Sequence, residues 1–224
     1  MRHAVLAVCL AIYVLPGCAF GRSPPDVAAE YRQERLAPAN AAAETSIWRM
    51  WRTADRLVRE FDANETSEVW QRDGRTVFHT RYFHGPRRGI EFQQEDLSRL
   101  GAQPQWQGLA EVIPSEVLAK LTVLEEGVTD GHAWRRLEGT LDGVRWSVTM
   151  RTDLMLPVSL ERHHGEVVER LTLLGAWPVH DAPRQPRSTE GYQVLDFADL
   201  GDNERDPFVM AVQGQLGLDH HHGH

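Results

Sequence analysis

The chain has 224 residues, with 32 acidic against 24 basic side chains and a formal net charge of -8. An acidic chain without a basic stripe lacks the cationic surface needed to neutralise nucleic-acid phosphates. Lys120 is the only lysine, and the two cysteines, Cys9 and Cys18, stand close to the N-terminus, so everything beyond residue 18 is without thiol chemistry or an internal disulfide.

In chain order, the first element is an export signal over residues 1–17. One basic residue, Arg2, precedes the uncharged run Ala4 to Leu15, which Pro16-Gly17 interrupts before a small-residue site. The run is too short for a membrane-spanning helix, which needs about 20 apolar residues. Leu15-Pro16-Gly17-Cys18 resembles the lipobox of bacterial lipoprotein precursors. The resemblance implies that Cys18 becomes the acylated first residue of the mature protein, although Pro16 departs from the small or β-branched residue usual there. Ala19 after the cysteine, in place of Asp, implies the periplasmic face of the outer membrane. The alternative is ordinary signal-peptidase cleavage after Ala19, which leaves a soluble periplasmic protein.

Residues 18–45 read as a flexible tether, rich in Ala, Pro, Arg and Glu, with at most a short helix around Val27 to Leu36. The folded domain is expected over residues 46–178. Strands are predicted at Arg56 to Asp62, Ser67 to Arg72, Thr76 to His84 and Arg88 to Gln93, with turns at Asp73-Gly74 and Gly85-Pro86. Ser115 caps a predicted helix along which Val117, Leu118, Leu121 and Leu124 recur at helical spacing. Beyond it, Val144, Trp146, Val148 and Met150 alternate with polar residues behind the turn pair Asp142-Gly143. His132 to Leu141 and Val144 to Arg151 therefore form a hairpin, which continues through Val158 to Glu161 and Val167 to Leu174 as a four-stranded antiparallel meander. The fold class expected from this pattern is α+β: two groups of antiparallel strands with a helix between them. A linker spans 179–191, a segment able to dock back on the domain spans 192–212, and 213–224 is an unstructured His-rich tail.

The order of signal, tether, strands, inserted helix and final meander, with the crossing Asp153-Leu-Met-Leu156-Pro157 followed by Val158-Ser-Leu160-Glu161, resembles the superfamily of periplasmic lipoprotein carriers and lipid sensors, the LolA, LolB and RseB-like half-barrels. The resemblance covers about Trp48 to Trp177. It implies a curved antiparallel sheet closed by packed helices around an apolar cavity. It also implies binding of a lipid, a lipoprotein or another apolar ligand without chemistry. The ligand-lining candidates are Phe83, Phe92, Leu118, Leu121, Trp146, Val148, Met150 and Leu160. A stripe of such residues is equally the ordinary core of a sheet. An envelope interaction module with a closed core, using the sheet edge or Tyr192 to Val212 to hold a protein partner, is the rival expectation.

No nucleophile elbow, zinc helix, phosphate loop or EF-hand spacing occurs, so no catalytic residue is assigned. A hydrolase with a dispersed site would need His79 or His84 beside paired carboxylates. Asp196, Asp199, Asp202 and Asp206 are hard oxygen donors, at a spacing unlike known calcium loops. His163-His164 falls at a turn. His220, His221, His222 and His224 could chelate Zn²⁺, Cu²⁺ or Ni²⁺ weakly, since a flexible tail does not preorganise ligands. No other cofactor is expected.

Overall fold

A computed structural model describes residues 23–36, 43–102 and 104–212. The expected export signal over residues 1–17, Cys18 and the four C-terminal histidines lie outside the described residues. Among the described residues, twelve strands form one continuous curved sheet, in the order β12-β6-β5-β4-β3-β2-β1-β11-β10-β9-β8-β7. The strands are β1 (Val27–Leu36), β2 (Glu44–Arg52), β3 (Arg56–Phe61), β4 (Thr66–Asp73), β5 (Thr76–Phe83), β6 (Arg88–Phe92), β7 (Thr122–Thr129), β8 (His132–Leu141), β9 (Val144–Arg151), β10 (Leu156–His164), β11 (Val167–Trp177) and β12 (Gln193–Asp196). Pairing is antiparallel except that β12 runs parallel to β6. The α-helices are short: α1 (Gln94–Arg99), α2 (Trp106–Ala110), α3 (Ser115–Leu118) and α4 (Pro207–Val212).

This corrects the α+β expectation: the protein is mostly β, with one open sheet and α-helices of four to six residues among the described residues. The helical spacing after Ser115 has a simple origin, because it joins two different elements. α3 stops at Leu118, Leu121 is buried where a side chain on Gly139 would collide with it, and Leu124 already belongs to β7, at a bulge between Val123 and Glu125. Apolar residues in a turn and a strand thus mimic a helical stripe.

The larger correction concerns the tether. Residues 27–36 form neither coil nor helix; they are β1, hydrogen-bonded to β2 on one side and β11 on the other. The two predicted groups of strands are one sheet because β1 lies between them. Composition hides this strand because its buried residues are mostly small. Val27, Ala28, Ala29 and Tyr31 are 0 to 2% exposed, while Glu30 takes the outer face and pairs with Arg49 at 2.5 Å. A strand paired on both edges satisfies its backbone groups through its neighbours, so it needs little side-chain bulk of its own.

Strand alternation sends Tyr31, Trp48, Met50, Leu57 and Leu171 to the inner face, where Trp106, Leu109 and Val112 pack on them from the segment carrying α2. Ala28, Trp51 and Val58 face outward, under Val179 and Ala182. After β11 the chain crosses this outer face and is pinned there. Trp51 Nε1 donates to the Arg184 carbonyl at 3.0 Å, and the Arg187 amide donates to Glu60 at 2.5 Å. It then adds β12 beside β6, and α4 returns to the inner face against Phe83, Ile90 and Phe92.

Arg52 joins these parts. Its fully buried guanidinium donates to the carbonyls of Pro25 at 3.0 Å, Ala110 at 2.8 Å and Leu154 at 2.7 Å. One side chain therefore holds the approach to β1, the end of α2 and the turn between β9 and β10. Burial lowers its pKa to about 10, so it remains a cation throughout the physiological range.

Candidate ligand groove

The inner face is not uniformly covered. Between the sheet and the loop Val112-Ile113-Pro114 runs a groove of about 290 Å³, at the lower end of the ~300 to 1,000 Å³ usual for ligand pockets. Its floor comes from Phe61 on β3, Trp48 on β2, Gln33 on β1, Leu171 on β11, Leu160 on β10 and Trp146 on β9. Three of these strands, β1 to β3, come from the N-terminal run of strands and three, β9 to β11, from the final meander, with β1 and β11 adjacent where the two runs join. The floor, apolar but for Gln33, is rimmed by Arg59, Arg162, Glu169 and Arg170, the last paired with Glu161.

The aromatic floor is ordered. Tyr31 stacks on Trp48 with centroids 4.7 Å apart, and Trp48 stands 6.3 Å from Phe61. Tyr31 is fully buried, its hydroxyl has no partner among the described residues, and burial holds its phenol above the ordinary pKa. The guanidinium of Arg162 lies 5.2 Å from the Trp146 ring centroid and bonds Glu169. Arg59 donates from Nη2 to the Leu109 carbonyl at 2.7 Å, tying the floor to the roof, and burial lowers its pKa against the opposing pull of Glu68. Among the described residues the buried Nε atoms of Arg59 and Arg162 and Nε1 of Trp146 have no acceptor.

Of the predicted lining residues, Trp146 and Leu160 line this groove. Leu118, Leu121, Val148 and Met150 pack together beside it, with Leu137 and Ile113. Phe83 and Phe92 lie elsewhere, in a cluster sealed by Leu200, Phe208, Val209 and Val212. The groove also uses Trp48, Phe61, Leu171, Arg59 and Arg162, which the sequence reading missed. The period-two pair Leu57 and Phe61 on β3 carries a signal that would have found Phe61, whereas Trp48 stands in a strand covered on both faces.

The residues weighed for chemistry have structural partners. His79 is stacked between Trp70, at 3.8 Å, and Phe92, at 5.1 Å; burial, with Arg81 and Arg59 nearby, pushes its pKa down to about 3. His84 faces the Tyr192 hydroxyl at 3.1 Å, and burial and Arg187 lower its pKa. His163 contacts Glu161 at 2.5 Å. Asp196 caps the Ala198 amide, and Asp206 caps the Phe208 amide while pairing with Arg88 at 2.8 Å. Among the described residues no three His, Cys, Asp or Glu side chains gather as a metal site. A roomier hollow of about 580 Å³ beside Arg72, Arg75, Gln94, Ser98 and Trp106 is mainly polar.

No family model and no curated protein matches this chain. Among solved structures it is similar to an uncharacterized conserved protein from Thermus thermophilus, with TM-score 0.42 and 13% identity, covering 77% of this chain and 91% of that one. PNGF-II follows at TM-score 0.41 and 8% identity, covering 80% of this chain and 32% of that one. A LolA superfamily protein from Nitrosomonas europaea is similar at TM-score 0.31 and 11% identity, covering 71% and 88%.

Proposed function

We propose that the protein is a lipid-anchored envelope protein, held through Cys18 at the periplasmic face of the outer membrane. On this reading it binds the acyl chain of a lipid or lipoprotein, or another apolar ligand, in the inner groove without chemically changing it. The observation that carries this reading is the aromatic and aliphatic floor of Trp48, Phe61, Leu160, Leu171 and Trp146 beneath Val112-Ile113-Pro114. A floor of this kind favours apolar surface removed from water, at about 25 cal/mol per Å². The lipobox-like Leu15-Pro16-Gly17-Cys18 supports the anchor.

The test uses Cys18→Ala protein purified without detergent. Lipid recovered on organic extraction, together with saturable binding of a hydrophobic fluorescent probe, supports the reading; an empty extract and no probe binding sink it. Intact-mass analysis of the processed wild-type chain tests the anchor separately, and an unmodified N-terminus at Phe20 would remove it.

One feature favours the alternative of a protein-interaction module. Edge strand β7 exposes Val123 at 45% and Val128 at 70%, and its outer backbone is unpaired among the described strands. The other suggested docking segment, Tyr192 to Val212, is already taken up by the cluster around Phe83 and Ile90.

A further inference from the structure

We propose that the groove selects amphiphiles with an anionic headgroup, the anion seated at Arg59 and the apolar tail running past Trp48, Leu171 and Leu160 toward Trp146. This rests on the reading of the groove as a ligand site and adds the chemical class of its ligand. From β3 to β9 the groove crosses five inter-strand spacings, roughly 24 Å of curved sheet at ~4.8 Å each. Trp48, Phe61, Leu171, Leu160 and Trp146 along that floor offer an apolar tail its contacts.

The two ends differ in charge. At the Trp146 end the Arg162 cation is paired with Glu169 and lies over the indole ring. At the other end Arg59 spends Nη2 on the Leu109 carbonyl, leaves a buried Nε without an acceptor and makes no ion pair among the described residues. Glu68, opposite Arg59 on the next strand, acts on it only through space. A neutral chain in the groove would remove more water from this cation and return nothing to it, whereas a carboxylate or phosphate would supply a charge-assisted hydrogen bond.

Titration of the full chain with palmitate, hexadecanol and inorganic phosphate, followed through tryptophan emission, tests the assignment. Palmitate is expected to bind about tenfold more tightly than hexadecanol, the difference one charge-assisted hydrogen bond supplies. Phosphate is expected to show no saturable binding in the same range. Arg59→Gln should abolish the preference for palmitate over hexadecanol, read as the ratio of the two affinities, and Glu68→Gln, which leaves the contact with Leu109 intact, should increase the preference. Equal binding of both amphiphiles, unaffected by either substitution, overturns this inference while leaving the groove a ligand site. Phosphate binding as tightly as palmitate makes it a free-anion site and also overturns it. Failure of both amphiphiles to bind removes the groove reading as well.

Discussion

The inner face of the sheet carries two aromatic regions built alike and finished differently. Over β4, β5 and β6, the ladder Trp70, His79, Phe92 and Phe197 is closed by the chain's own C-terminal segment, and Arg88 is paired there with Asp206. Across β3 to β9, the ladder Tyr31, Trp48 and Phe61 continues into Leu171, Leu160 and Trp146 beneath a thin loop, and Arg59 has no carboxylate partner among the described residues. The same strand alternation generates both. The difference is supplied by what returns to cover them: among the described residues, the chain's C-terminal segment closes the first region as core, and only the Val112-Ile113-Pro114 loop overlies the second, leaving a groove.

The largest expected effect lies at the roof of the groove. Arg52→Ala strands three carbonyls, that of Ala110 buried and those of Pro25 and Leu154 partly so, and frees the end of α2 from the sheet. It should cost about 3 to 5 kcal/mol of stability in denaturant unfolding, because unsatisfied buried groups carry their full desolvation penalty. A loss below about 1 kcal/mol would mean the roof is held by other contacts.

Acid should attack the closed region specifically. His79 has a folded pKa of about 3 against an ordinary 6.5, so the unfolded chain binds the extra proton first. Its contribution is fully present above about pH 6.5 and is lost as pH falls toward 3, on the order of 5 kcal/mol in all. His79→Phe, which keeps a ring between Trp70 and Phe92, should flatten this part of a stability-against-pH curve; an unchanged slope would assign the acid sensitivity to other groups.

A smaller pair of effects separates lid from groove. Phe208→Ala removes a buried ring that packs edge-on to Phe83 and should destabilise by about 3 kcal/mol. Leu160→Ala alters a half-buried groove residue and should cost about 1 kcal/mol while weakening probe binding severalfold. If Leu160→Ala proves the more destabilising of the two and leaves probe binding intact, the groove is core.

Strands β3 to β6 and β8 to β11 are legible in the sequence because runs of β-branched, aromatic and aliphatic residues, alternating most cleanly in β9, are set off by turn residues such as Asp142-Gly143 and Asp73-Gly74. β1 and β2 are not. In β1 the buried face is built from Val27, Ala29 and Tyr31, in a run that also holds the polar stretch Arg32-Gln33-Glu34-Arg35; in β2 both faces of Trp48 to Arg52 are covered, which erases alternation. β7 is hidden by the opposite condition, an exposed edge with a bulge. The groove is half legible for the same reason. Trp146 and Leu160 stand on clearly alternating strands, whereas Arg59 reads as a surface cation until β4 and the Leu109 carbonyl are seen to enclose it.

The most direct measurement is quenching of tryptophan emission by a nitroxide-labelled fatty acid, comparing the wild-type chain with a Trp48→Phe/Trp146→Phe double variant. Saturable quenching that largely disappears in the double variant, with the fold retained by circular dichroism, is the predicted result. Quenching that persists undiminished in that variant, or its absence in the wild type, would contradict a groove that takes an apolar chain.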